Sequence, residues 1–383
     1  MAERVDLVVI GGGLAGLSLA LRLARAGYAG QLRVVEPREA YLDDRSWAFW
    51  TPDGSALPVP ACRHWDRWRF SRRDGARVVQ SAPGWRYVYV RSLDVYQAAQ
   101  GAIAAMPNAK LMCGVRAGAI DRVADRFTVE TSAGALSARH VVDTRPPSAT
   151  QWAGTPMFQS FAGREIALAQ PGLDDGEVEL MTDMRADAHG FVFSYVLPLS
   201  PTRALVEATR FSAQPLGAGV LAADLGALLS ARGWSQAEVI RSEAARLPMG
   251  LPRAGEDAGP AGVVRAGMAA GALRAASGYG FQRIQAWAER CANAVMAGGA
   301  PVGHPAEPRL RAWMDRVFLQ ALVTAPARTP DFFMGLASTV PGPAFVRFMS
   351  DRAGWGDHAR VIAGLPPGPF LRAMRHGAAR AAA

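Results

Sequence analysis

No stretch of this 383-residue sequence approaches the roughly 18 to 20 consecutive apolar residues needed to cross a bilayer, so no membrane-spanning helix is expected. The apolar run Val5–Ile10 is too short for the core of a signal peptide and passes directly into glycines that a cleavage site would not explain. Cysteine is scarce. Cys62, Cys113 and Cys291 are odd in number and far apart, which excludes a disulfide framework and the close pairs of zinc or redox motifs, and a reducing cytoplasm is the expected location. The histidines at 64, 140, 189, 304, 358 and 376 show no metal-ligand spacing. No metal site is expected, and the absence of a G-x-S-x-G elbow removes support for triad hydrolysis. Basic runs such as Arg72-Arg73 are short and scattered, so nucleic acid is not an expected partner. The formal charge of +9 comes from arginine, with 42 basic against 33 acidic residues. It leaves two readings open, a solvated basic surface and attraction to anionic lipid.

What is present is globular. Half of the residues are apolar, and the length exceeds what one core usually organises, so two interleaved domains are expected. Asp6 to Ile10 reads as a continuous β-branched strand, Leu14, Leu17, Leu21 and Ala24 recur at helical spacing, Gly27 closes that helix, and Leu32 to Val35 restarts a strand. This is a βαβ unit. Tyr87 to Val90 alternates as a strand, and Ser92 is the expected N-cap of a helix reaching about Ala105. Residues 111–143 read as three strands. Phe191–Leu197 and Arg203–Thr209 face each other across Pro198–Thr202 as a hairpin, followed by a helical stretch over about 217–245. Gly262–Gly271 returns to a strand and glycine pattern, Phe281–Met296 is an amphipathic helix, and about 306–383 is helical and rich in Phe, Met and Trp.

Gly11-Gly12-Gly13-Leu14-Ala15-Gly16 satisfies G-x-G-x-x-G between strand and helix, and Glu36 ends the next strand twenty residues after Gly16. Gly11 permits the tight turn, Gly13 lets backbone approach a pyrophosphate, and Gly16 lets the helix lie close to the sheet. The helix start at Leu14 and Ala15 offers free N–H groups and a partial positive charge. Glu36 is expected on ribose hydroxyls, which favours FAD or NAD over a 2′-phosphorylated ligand. Arg91-Ser92-Leu93-Asp94 resembles the Arg-x-x-Leu helix start of flavoproteins, and Val264–Gly271 resembles their second glycine motif, with Gly267 and Gly271 as candidate contacts. These select FAD. Met268 stands where many flavin hydroxylases carry Asp, which argues against a monooxygenase. Gly278 precedes the Gln282–Met296 helical segment, whose N–H groups are candidates for the flavin N1–C2=O edge and would stabilise an anionic reduced flavin.

Two further segments resemble the flavoprotein lycopene cyclases of bacteria. Asp43-Asp44-Arg45-Ser46-Trp47-Ala48-Phe49-Trp50 is similar to that family's D-D-R-T-W-x-F-W, and Tyr195–Thr209 to its Y-x-L-P-x-S-P-x-x-x-L-[VI]-E-[DE]-T. Phe158–Glu165, Asp143-Thr144-Arg145 and Leu247-Pro248-Met249 add weaker similarity, and the whole spans roughly residues 6 to 290 in family order. The resemblance implies an α/β fold: a Rossmann-like FAD-binding domain of the flavin hydroxylase and glutathione reductase type (1–60, 85–150 and 245–305), an inserted antiparallel-sheet substrate domain (61–84 and 151–244) and a helical C-terminal region (306–383). It implies FAD, reduced by a transiently docked NAD(P)H, and non-redox cyclisation of the ψ-ends of lycopene to β-rings.

In that chemistry a proton is added to the terminal double bond, the C5 double bond attacks the cation, and a proton is lost. Glu207 is the acid on the hairpin. Its apolar flanks, Leu205, Val206, Ala208 and Phe211, would desolvate it and raise its pKa. The family's second acid is replaced by Ala208, which implies that no acidic pair operates here and leaves a related, non-lycopene isoprenoid open as substrate. Arg45 and Arg91 are expected at the cofactor, and Trp47, Phe193 and Tyr195 around the substrate cation. Phe332–Leu336 and Phe345–Met349, with Arg347, Arg352 and Arg360, are expected at an apolar mouth on the inner membrane. The competing readings are an FAD-dependent monooxygenase or reductase acting on an isoprenoid, and a non-catalytic flavoprotein that sequesters polyenes.

Overall fold

The computed structural model describes residues 2–252 and 259–381, with side chains through Arg375. Residues 253–258, inside the expected third piece of the cofactor domain, and the His376 side chain lie outside the described residues.

The Val-rich segment Glu3–Ile10 is covered on both faces and forms the centre of a seven-stranded sheet. It pairs in parallel with Leu32–Glu36 on one side and Leu136–Asp143 on the other. Ala109–Cys113 extends the parallel part, and Val264–Arg265 adds to Leu136–Asp143. Arg126–Thr131 and Ala117–Val123 complete it antiparallel. Residues 111–143, read from sequence as three strands, thus contribute to four. The helix Leu14–Arg25 lies on this sheet against Phe281–Met296, around the fully buried Trp287 and with Gln285 Nε2 donating to Ser18 Oγ at 2.7 Å. The next helix runs Ser92–Ala104 with Arg91, not Ser92, as its cap. The Ser92 hydroxyl instead donates to Asp44 Oδ1 and accepts from the Arg45 amide.

The second sheet has the order Glu238–Met249, Met157–Ala167, Arg203–Ser212, Gly190–Ser200, Val178–Asp187, Arg67–Arg72 and Arg77–Ser81. The expected helix over 217–245 is corrected here. Helix covers Ala218–Ala231 only, and Glu238–Met249 is a strand paired along its length with Met157–Ala167. The Ala, Arg and Glu content of 238–246 favours helix locally, and cross-strand pairing overrides it. Alternation gives the sheet two faces. Val196, Ala204, Val206 and Ala208 pack under the Ala218–Ala231 helix. Phe191, Phe193, Leu197, Leu205 and Phe211 face the main core, shared with the C-terminal helices.

Those helices are Arg309–Thr324, Thr329–Thr339, Gly342–Met349, Trp355–Ala363 and Pro367–Ala381. Arg274 ties them to the glycine-rich loop. Its buried guanidinium pairs with Asp315 at 3.2 Å, donates to the Phe348 carbonyl and lies 4.2 Å over the Phe348 ring. A small antiparallel sheet of Ser46–Pro52, Trp85–Arg91 and Arg63–Trp65 stands between the two large ones.

Candidate active site

The glycine turn is built to leave backbone bare. Gly11 has φ +97°, and a Cβ there would lie 2.6 Å from Thr144 Oγ1; at Gly16 it would lie 1.9 Å from the Gly11 carbonyl oxygen. Gly13 is different: a Cβ would meet nothing within 4 Å, and this residue caps Leu14–Arg25 with no side-chain cap and no acid in the first turn. The first-turn amides of Leu14, Ala15 and Gly16 thus have neither an intrahelical acceptor nor a capping side chain, the arrangement a pyrophosphate requires. Glu36 ends its strand beside this turn, accepting from the Gly12 amide at 2.6 Å and from Arg38 Nε at 2.8 Å, so part of its acceptor capacity is already taken. Arg38 stacks over Tyr41 and Tyr96. Gly267 and Gly271, with φ of +74° and +87°, flank a single 3₁₀ turn at Met268–Ala270, and the Gly267 amide donates to His304 Nε2. Burial lowers the His304 pKa to about 4, so the imidazole accepts that bond neutral. Phe281–Met296, like Leu14–Arg25, begins at a glycine without a side-chain cap or a first-turn acid. These groups fit a dinucleotide.

Arg45 and Arg91 are placed at the edge of this region by ion pairs. Arg45 contacts Asp44 at 3.1 Å, and Arg91 contacts Asp43 at 2.5 Å. From Asp43 a polar network runs into the second sheet, since Arg241 Nε lies 3.4 Å from Asp43 and 2.7 Å from Glu165. Arg241 also donates to Glu243 at 2.5 Å, to Ser46 Oγ at 2.9 Å and to Tyr89 Oη at 2.5 Å. Ser46 Oγ in turn donates to Glu243 at 2.5 Å. The D-D-R-S-W stretch thus grips the acid-bearing sheet through Asp43 and Ser46.

Tyr195, Glu207, Gly163 and Glu243 form one cross-strand row. Gly163 makes room for the two acids: a Cβ there would sit 2.8 Å from Glu207 Cγ and 3.4 Å from Glu243 Cγ. Glu207 shares a hydrogen bond with Glu243, and its pKa is raised well above the ordinary carboxyl value, first by burial and then by the Glu243 charge. Along this chain of contacts four carboxyl groups, Asp43, Glu165, Glu207 and Glu243, meet three guanidinium groups, Arg91, Arg203 and Arg241. The ion pairs fall on Asp43, Glu165 and Glu243, and among the described residues none falls on Glu207. Glu207 is half-buried and strongly desolvated, and its cross-strand neighbour Tyr195 lines the adjoining cavity. Ala208 points the other way, buried under the Ala218–Ala231 helix, so an acid at that position would not meet Glu207. Sequence reasoning does not single out Glu243, because its segment reads as helix, whereas the structure brings it against Glu207.

Beside the row lies a cavity of about 270 Å³ lined by Tyr195, Trp50, Tyr279, Phe211, Gln159 and side chains of the C-terminal helices. Of the three residues expected around the substrate, Tyr195 lines it. Phe193 is buried between Phe191, Tyr195 and Phe211, and Trp47 packs against Tyr96 and Phe281. Phe333, Leu336, Phe345, Phe348 and Met349 form inner walls of the cavity, whereas the large apolar side chains Trp313, Ile362 and Leu371 both line it and reach the surface, 39–51% exposed. Arg347 is held by Asp357 at 2.7 Å, and Arg352 lies over Trp85. Among the described residues no helix is long and apolar enough to cross a membrane, and no group of three or more His, Cys, Asp or Glu is placed to hold a metal.

Solved structures share this architecture. A geranylgeranyl bacteriochlorophyll reductase-like protein from Thermoplasma acidophilum superposes with a TM-score of 0.61 at 14% identity, covering 97% of this chain and 99% of that one. The p-nitrophenol 4-monooxygenase of Pseudomonas putida gives 0.56 at 15%, covering 96% and 98%. The fold is the Rossmann-like one of FAD-dependent reductases and monooxygenases. Within that class, the lycopene cyclase protein family matches residues 6–375, and the chain belongs to it. It is 29% identical to the lycopene beta-cyclase of Pseudescherichia vulneris, over 97% of this chain and 96% of that protein. It is 30% identical to that of a Paracoccus species, again over 97% and 96%.

Proposed function

We propose that this chain binds FAD and cyclises the ψ-ends of lycopene to β-rings without net redox chemistry, with Glu207 as the proton donor. The observation that carries this reading is a desolvated acid beside an apolar, aromatic-lined cavity. Burial holds the proton on Glu207 until a chain end occupies the cavity. Transfer of that proton to the terminal double bond forms a C–H bond, the C5 double bond supplies the electron pair that closes the ring, and a ring C–H proton leaves. Tyr195, Trp50 and Tyr279 surround the cation with aromatic faces and exclude water. Gly11, Gly13, Gly16, Glu36, Gly267, Gly271 and Gly278 are the residues that would hold FAD. Bound in reduced form, with NAD(P)H as transient reductant, it would supply a negative charge near the cation.

The test is stoichiometry. With lycopene in vesicles and FAD-loaded enzyme, ring formation should exceed NAD(P)H consumed many times over once the flavin is primed; one reductant per product would sink the cyclase reading in favour of a reductase or monooxygenase.

The exposed rim of Trp313, Ile362 and Leu371 supports peripheral contact with lipid, since the substrate has to enter from a bilayer. Ile362→Asp should lower binding to anionic phospholipid vesicles by about tenfold, the loss of one buried aliphatic side chain, while flavin content is kept. Unchanged co-sedimentation would remove this rim from the membrane contact.

A further inference from the structure

We infer that Glu207 and Glu243 act as one proton-sharing pair straddling Gly163, with Glu243 the positioning residue that keeps the transferable proton on Glu207. This rests on the reading of Glu207 as the acid. Three strands build the pair: Glu207 and Glu243 both register with Gly163, one from each side. The missing Cβ of Gly163 is what allows the two carboxyls to meet across the central strand. Glu243 is fixed from behind by Arg241 and Ser46, so it cannot swing away. The protonated Glu207 carboxyl donates to it.

The groups facing Glu207 from other elements support the same arrangement. Tyr195 on the adjacent strand and Tyr87 on Trp85–Arg91 both lie within electrostatic reach of Glu207, and Tyr279, before the Phe281–Met296 helix, contacts Tyr87. Burial pushes all three hydroxyls up, so they stay neutral. Glu243 is then the charge that holds the Glu207 proton, opposed by Arg241. When Glu207 releases its proton to the substrate, two adjacent carboxylates remain. That repulsion makes Glu207 a strong base, and it recovers the proton that leaves the ring. One proton goes out and one returns, so the pair ends each cycle as it began and needs no external proton source. Ala208 is no obstacle to this pair, because an acid there would face the other side of the sheet.

The sign of the pH effect follows. Glu207 works while protonated, so the rate falls as pH rises through its folded-state pKa, and removing the Glu243 charge lowers that pKa. The test is the pH–rate profile of ring formation by the FAD-loaded full chain, together with infrared titration of the protonated carboxyl band that disappears in Glu207→Gln. In Glu243→Gln the alkaline limb and the band should both move by about one to three pH units toward acid, with activity depressed at neutrality and recovering at lower pH. An unmoved limb with Glu207→Gln inactive overturns the pair and leaves the acid standing. Ring formation by Glu207→Gln removes the acid assignment, and the infrared titration alone then judges the pairing. Should Glu243→Gln fail to fold, Gly163→Ala wedges the carboxyls apart without deleting either; the same acidward movement is expected, and its absence overturns the proposal.

Discussion

Glu207→Gln is expected to abolish ring formation in lycopene-accumulating cells while retaining FAD. The amide keeps the shape and much of the hydrogen bonding of the acid but has no proton to give, and general acid catalysis is worth about 10² to 10⁴ in rate. Little else should change. Among the described residues Glu207 forms no ion pair, and it sits beside Glu243, so a neutral side chain removes like-charge crowding rather than a salt bridge. Pigment chromatography reads the first effect and flavin absorbance the second. β-Rings formed at the wild-type rate would take Glu207 out of the mechanism.

The second large effect separates two glycines three residues apart. Gly13→Val should yield a folded protein without flavin, because its side chain enters space that is open in the fold and lies where the first-turn amides are bare. Gly16→Val should fail to fold, because a Cβ 1.9 Å from the Gly11 carbonyl forces the helix off the sheet. Thermal unfolding together with flavin absorbance distinguishes the two outcomes. Normal FAD content in Gly13→Val would displace the pyrophosphate from this turn.

Local patterns carried the parts of this site that sequence could reveal. The strand, glycine turn, helix and Glu36 lie within about thirty residues, and the hairpin of Gly190–Ser200 and Arg203–Ser212 joins through a short turn, so both are written in near-neighbour residues. The period of two also implies that Glu207 and Ala208 face opposite sides of the sheet, which makes Ala208 a packing residue under a helix rather than a lost acid. Glu243 could not be read in this way. Its strand state comes from pairing with Met157–Ala167, more than seventy residues earlier, and its own composition points to helix. The surface rim was hidden for a related reason. Phe332 and Phe345 are the more apolar residues but are buried, whereas Ile362 and Leu371 reach solvent because of how five helices stack.

The size of the cavity has a consequence for products. At about 270 Å³ it lies just below the roughly 300 to 1,000 Å³ typical of sites that enclose a drug-sized molecule, so under the proposed function it would hold one terminus of a long polyene while the remainder stays outside. A substrate with two reactive termini must withdraw, reverse end for end and enter again. With a substrate drawn from a bilayer, the ratio of singly to doubly closed pigment would then be a contest between re-entry and lateral escape, set as much by the fluidity and crowding of the lipid as by the protein.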